Sequence, residues 1–250
     1  MKPYKLTIVT GASSNHFMCL QNLLWSISKH QPDARVIVYD LGLTDQEHKA
    51  LNEIPPFYLG NWSVRKFDFK KHPSYFAIGP DAGRMGFRPV TVASAAHEFG
   101  GIVMWLDAGC QVRNPMHEMM ALVLKRGLYC AATNKTIGQK LYPSAKAPLK
   151  VTDDLLPLPL RDAGICAFNC GDPRVLALVD KWAEVARNPA ITAPHGSTRW
   201  THRQDAVFAV LLNQAAKANG WDISKMKVSD VALRCDGLSL AETKFRAGVR

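Results

Sequence analysis

Asp107 ends a run of five apolar residues, Ile102 to Leu106 (IVMWL), and is followed by Ala108 and Gly109. So short and apolar a run reads as a strand buried on both faces. A carboxylate at its end could hold a divalent cation, accept from a ribose hydroxyl, or simply shape the turn before Gly109. Upstream, Arg84 and Arg88 lie just ahead of a helical stretch, two cations suited to phosphate. Downstream, Thr201-His-Arg-Gln-Asp205 opens the last long amphipathic stretch. The N-terminus of a helix favours anions, which puts His202 and Arg203 in reach of a phosphate. It also favours acidic side chains, which would account for Asp205 with no further role. Asp162 and Asn169 are the polar ends of the apolar stretch Ala163 to Phe168.

The elements that must position these residues follow from periodicity. Lys5 to Thr10, Arg35 to Tyr39, Ser63 to Phe69, Ile102 to Leu106, Leu128 to Thr133 and Ile165 to Asn169 read as strands. His16 to Lys29, Thr44 to Glu53, Pro89 to Phe99, Val175 to Arg187 and Arg203 to Asn219 read as helices. Ser13, Ser14 or Asn15 could cap the first, and Thr44 with Glu47 gives the second a capping-box pattern. Pro89 suits the first turn of the third, and Gly100-Gly101 ends it. Residues 72–87, 135–161 and 191–201 read as loops. Strands alternating with helices predict an α/β fold, Rossmann-like, with a mostly parallel central sheet flanked by helices. Ligands of such sheets bind beyond the carboxyl ends of the strands. Those ends are Thr10-Gly11, Asp40, Asp68, Asp107 and Asn169.

The 250 residues are enough for one sizeable core, and the charge is +10. A basic chain favours anionic partners such as nucleotides or an anionic membrane face. No dense basic run points to nucleic acid, and none is expected as a partner. No stretch reaches the roughly 20 apolar residues of a membrane span. The N-terminal apolar run is too short for a secretory signal, so a cytoplasmic setting is expected. The six cysteines form no CxxC pair; Cys166 and Cys170, around an apolar stretch, are expected to be buried thiols.

Two stretches resemble the short-chain dehydrogenases: TGASS at Thr10 to Ser14, and Tyr142-Pro-Ser-Ala-Lys146 as a YxxxK pair. The dinucleotide loop needs further glycines where this chain has Asn15, His16 and Phe17, whose side chains would crowd a pyrophosphate. Pro143 is out of place in the core helix that carries Tyr and Lys in that family. An NAD(P)-dependent oxidoreductase is therefore the weaker alternative.

The segments TIVTGASSNHF, VIVYDLG, GFRP, WLDAG, AGICAFN and HRQD, in this order, resemble the GT-A class of nucleotide-diphospho-sugar transferases. The likeness is greatest to a poorly characterised branch with a W-x-D-A-G strand end, and it covers most of residues 5 to 215. It implies a single GT-A domain with a nucleotide-binding half (1–110), an acceptor half (111–220) and a C-terminal tail (221–250). It implies a glycosyltransferase that uses a nucleotide-sugar, a UDP-sugar before others. The acceptor would be a saccharide or a lipid-linked saccharide, with contact to the inner face of a membrane for the latter. Thr10, Gly11, Ala12 and Asp40 would form the base and ribose pocket. Asp107, Ala108 and Gly109 would meet the diphosphate with Arg84 and Arg88. Asn169, Gln204 and Asp205 would face the sugar or acceptor. Asp162 and Asp205 are the candidate catalytic carboxylates, and retention or inversion stays open. The class usually holds Mn²⁺ or Mg²⁺ on an Asp-x-Asp pair, and here the second Asp is missing. That leaves Asp107 as a ligand alone, with His202 as a candidate second, or as a ribose-binding group. A degenerate domain that binds nucleotide or partner without transfer is the other alternative.

Overall fold

Strands rich in Val, Ile and Leu need cover on both faces, and the chain supplies it with helices on either side. The computed structural model describes residues 6–53, 61–79, 82–224, 226 and 232–234. The strands are β1 (Leu6–Ala12), β2 (Arg35–Asp40), β3 (Asn61–Lys66), β4 (Ile102–Leu106), β5 (Cys110–Val112), β6 (Leu128–Thr136), β7 (Pro159–Asn169) and β8 (Ala232–Arg234). The helices are α1 (Phe17–His30), α2 (Asp45–Asn52), α3 (Phe87–Phe99), α4 (His117–Arg126), α5 (Ile137–Lys140), α6 (Pro173–Ala186), α7 (Pro189–Thr192) and α8 (Gln204–Asn219). The capping box of Thr44 and Glu47 is present at α2. α4 and β5 were not among the expected elements. Lys5 and most of the tail after residue 221 lie outside the described residues.

The main sheet has the order β3-β2-β1-β4-β7-β6. β1 to β4 are mutually parallel, as expected. β7 is antiparallel to both β4 and β6, so the sheet is mixed on that side. The chain runs outward from β1 through β2 to β3, then returns to place β4 on the other side of β1. That reversal opens a crevice between the carboxyl ends of β1 and β4. Alternation along the strands splits the core in two. Val9, Ile37, Val103 and Trp105 face one cluster, shared with α3, α6 and α8. Ile8, Val36, Met104 and Leu106 face the other, shared with α1 and α4. Phe168, Trp182 and Phe208 join β7, α6 and α8 through ring contacts at 4.5 to 6.1 Å.

α3 is the central helix and is buried almost all round at its start. Gly86 precedes it beneath the fully buried Phe76 ring, and a Cβ there would lie 2.4 Å from Phe76 Cε1. A ring locked in the core has little room to give. Gly86→Ala is expected to destabilise the protein by about 1–3 kcal/mol, read as a lower urea midpoint with unchanged m-value. An unchanged midpoint would contradict the packing described. Cys166 and Cys170 are buried free thiols, as expected.

Candidate functional site

A cleft of about 340 Å³ lies over the carboxyl ends of β1 and β4, at the crevice the topology requires. Its core is a chain of alternating charges. Arg88, on the first turn of α3, donates from Nη2 to both Asp107 oxygens, at 2.9 and 3.1 Å. Its Nη1 lies 3.5 Å from Asp205 Oδ1. Arg203 Nη2 meets Asp205 Oδ2 at 2.6 Å. Arg88 is 2 % exposed, and a guanidinium so deep in the protein needs carboxylates beside it.

The local sequence explains each placement. Trp105 and Asp107 are two residues apart on an extended chain, so both side chains leave on one side. The Trp105 indole Nε1 therefore donates to Asp107 Oδ1, at 2.6 Å. Asp205 stands in the first turn of α8, where the helix dipole favours a carboxylate, and its Oδ1 also accepts from the Ala163 amide at 3.3 Å. The reversed direction of β7 brings Ala163 and Gly164 to this end of the sheet. The Gly164 carbonyl accepts from the Asp107 amide at 2.9 Å.

Gly11, Ala12, Arg84, Ala108, Gly109, His202 and Gln204 also line the cleft. Arg84 reaches it from an unusual backbone: Arg84 and Met85 have φ of 49° and 55°. Two successive non-glycine residues in that region cost roughly 1–2 kcal/mol each. The contacts of Arg84 with Ser197, at 2.7 Å to the carbonyl and 3.4 Å to the hydroxyl, help hold them there. Gln204 Nε2 donates to Thr192 Oγ1, whereas its buried Oε1 has no hydrogen-bond partner.

Four expected site residues are not on the cleft wall. Thr10 is fully buried. Asp40 shapes the turn after β2, its Oδ1 accepting from the amides of Gly42 and Leu43 at 2.8 Å each, with His48 3.3 Å from Oδ2. Asp162 accepts from the Gly164 amide at 2.9 Å, one residue away from the Ala163–Asp205 contact. Asn169 lies at the opposite end of the sheet, because it pairs with Ile102 whereas Ile165 pairs with Leu106. Five residues of strand, about 13–17 Å, separate it from the cleft. A parallel strand would have put it at the ligand-binding end; the antiparallel pairing with β4 puts it at the other.

His202 is held by the fold rather than offered to a metal. Its Nε2 lies 2.6 Å from the Ile191 carbonyl, and its Nδ1 accepts from the Tyr142 amide at 3.1 Å. This fixes a neutral ring, and burial pushes its pKa down to about 4 despite the Ile191 hydrogen bond. Ser13 to His16 do not cap α1 through their side chains; Ser13 and His16 instead contact Asn15 Oδ1, and all three border the cleft. Tyr142 precedes a short turn at Pro143–Ala145 and does not line the cleft, so Tyr142 and Lys146 do not stand one turn apart on a core helix as the dehydrogenase pair requires.

Arg199 and Trp200 join the site without having been expected from the sequence. Trp200 is 69 % exposed beside the cleft, with the Arg199 guanidinium 4.6 Å from its ring. Their loop is pinned, since Lys140 Nζ donates to the Trp200 carbonyl at 2.9 Å and the Arg203 amide to that of Lys140 at 3.1 Å. The available signal was an Arg-Trp pair in an otherwise small and polar loop. Among the described residues, four arginines and two aspartates line the cleft, a formal charge of +2.

The model of a family described as a protein of unknown function (DUF1647) matches residues 2–93. No curated protein matches the chain. Among solved structures, the galactosyltransferase LgtC in complex with donor and acceptor sugar analogues is similar, at 15 % identity and a TM-score of 0.55. That similarity covers 97 % of this chain and 95 % of that one. An active-site mutant of LgtC gives 16 % identity and 0.52 over the same shares. Core-mannan synthase A of Aspergillus fumigatus, in an Mn/GDP form, gives 6 % identity and 0.55, over 84 % of this chain and 70 % of that one.

The residues of this cleft do not fit a metal of that kind. The strand end supplies one carboxylate, which Arg88 and Trp105 already hold. Asp205 is paired with Arg88 and Arg203, and both His202 nitrogens face the backbone. Among the described residues no three His, Cys, Asp or Glu side chains converge as a metal site.

Proposed function

We propose that this chain, which has the fold of the GT-A glycosyltransferases, moves a sugar from a nucleoside-diphosphate donor to a saccharide or lipid-linked acceptor. The observation that carries the reading is the arginine-lined cleft at the β1/β4 crevice, with Arg88 fixed between Asp107 and Asp205. Transfer breaks the bond between the anomeric carbon and the β-phosphate oxygen, and negative charge grows on the departing diphosphate. Fixed cations in a partly enclosed cleft stabilise that charge without reorganising at the moment of reaction. In this reading Arg84 and Arg203 face the diphosphate, and Arg88 holds the middle of the array. Gly11 and Ala12 leave space for base and ribose at the end of β1. Asp107 fixes Arg88 and offers its outer edge to ribose or phosphate. The unpartnered Gln204 carbonyl suits a donor-sugar hydroxyl. Of the two candidate catalytic carboxylates, Asp205 lines the cleft and Asp162 does not, which favours Asp205 as the group that positions sugar or acceptor. Trp200, exposed on a pinned loop, offers an aromatic face to an acceptor ring.

A panel of UDP-hexoses and GDP-hexoses, with release of nucleoside diphosphate as the readout, tests the reading. Slow donor hydrolysis is expected with one base, a UDP-sugar tried first. Asp107→Asn is expected to lower that hydrolysis by about 100-fold or more, with the circular dichroism of the wild type retained. Unchanged hydrolysis in this variant would contradict the role given to Asp107.

One observation favours the non-catalytic alternative: both carboxylates on the cleft wall are engaged by arginines. That alternative predicts nucleotide binding with no release from any donor.

A further inference from the structure

The chain carries a cation of its own between the two carboxylates that line the cleft. Arg88 reaches Asp107 through Nη2 at 2.9 and 3.1 Å and stands 3.5 Å from Asp205 through Nη1. Its side chain is 3 % exposed, so this position is set by the packing of α3 rather than by chance at a surface. A divalent ion needs several oxygen ligands at short range. Asp107 Oδ1 already receives the Trp105 indole at 2.6 Å and the guanidinium at 2.9 Å. An ion on either Asp107 oxygen would have to sit beside a guanidinium of like charge. Asp205 offers no relief, since Arg203 takes its Oδ2 at 2.6 Å and the Ala163 amide lies 3.3 Å from its Oδ1. Around this pair stand Arg84, Arg199 and Arg203, and the described residues that line the cleft carry a formal charge of +2, opposite in sign to a nucleoside diphosphate.

We infer that the cleft binds nucleoside diphosphates without a divalent metal, with the buried Arg88 and the arginines around it supplying the positive charge. The inference rests on the donor-binding reading of the cleft and adds its electrostatic design. It sets this chain apart from the core-mannan synthase structure in its Mn/GDP form.

The test is isothermal titration of the full chain with UDP and with GDP, once in EDTA and once in Mn²⁺. The expected result is that one of the two nucleotides binds in EDTA, with a Kd within about threefold of its value in Mn²⁺. Arg203→Gln, at a half-exposed position that leaves Arg88 and Asp107 paired, is expected to weaken that binding by about tenfold in both buffers. Binding seen only with Mn²⁺, or tightened by about tenfold or more with it, would overturn the metal-free site and leave the donor-binding reading intact. No binding of either nucleotide in either buffer would overturn both.

Discussion

Arg88→Ala is expected to cost about 3–5 kcal/mol of folding stability and to lower donor turnover by about 100-fold or more. The stability loss follows from what remains. Asp107 and Asp205 are 14 % and 10 % exposed at their side chains and would lose the cation that lies between them. Removing one partner of a buried pair is far more costly than never having had the pair, because the survivor stays desolvated. For a chain of this size the loss corresponds to a melting temperature lower by roughly 10 °C. The two aspartates provide the internal check. Adding Asp107→Asn to Arg88→Ala removes one of the stranded charges, so the double variant is expected to be more stable than Arg88→Ala alone. Such non-additivity is the mark of groups acting as one network. If the two substitutions simply added, the pair would not be coupled, and the structural account of Arg88 would fail.

The second large effect is one of pH. His202 has an ordinary value of 6.5 and a folded value of about 4, lowered first by burial and also by the nearby Arg84 charge. The unfolded chain therefore takes up this proton at a higher pH than the folded one. Above pH 6.5 the ring is neutral in both states and the full stability is present. As the pH falls from 6.5 to 4, stability is lost, by up to about 3 kcal/mol from this residue. A folded ring that gained a proton at Nδ1 would set a donor against the Tyr142 amide. Urea unfolding at a series of pH values should show the decline. His202→Gln, with no titrating ring, should start from a lower stability and decline less over the same interval. Parallel pH slopes for the two proteins would contradict a buried neutral His202.

Much of this arrangement is legible in the sequence, for identifiable reasons. IVMWLD announces a buried strand ending in a carboxylate, and i, i+2 spacing ties Trp105 to Asp107. Thr44 and Glu47 form their box because capping is local. The direction of a strand is another matter. Ile165 to Asn169 looks the same read parallel or antiparallel, and only its pairing with β4 and β6 reveals the reversal. That reversal moved Asn169 out of the site and carried Ala163 into it. Resemblance puts Asp40 beside the base and ribose pocket, yet its carboxylate closes the turn to α2. His202 drew attention as a polar residue at a helix start, and its two backbone partners come from residues 60 and 11 positions away. Arg199 and Trp200 stand in a loop, and loops have no period to read. α4 buries only Met119 and Val123, too few positions to mark a helical face in the sequence.

The ion pair of Arg88 with Asp205 joins positions 117 apart in the chain. On a ribosome adding about 5–20 residues per second, Asp205 is made roughly 6–23 s after Arg88. Asp107 follows Arg88 within about one to four seconds at the same rate, so the first half of the charge array can assemble early. For the rest of that interval the arginine waits beside a single carboxylate. The cleft is thus finished only after α8 has begun to emerge, and until then no nascent chain can be ready for its ligand.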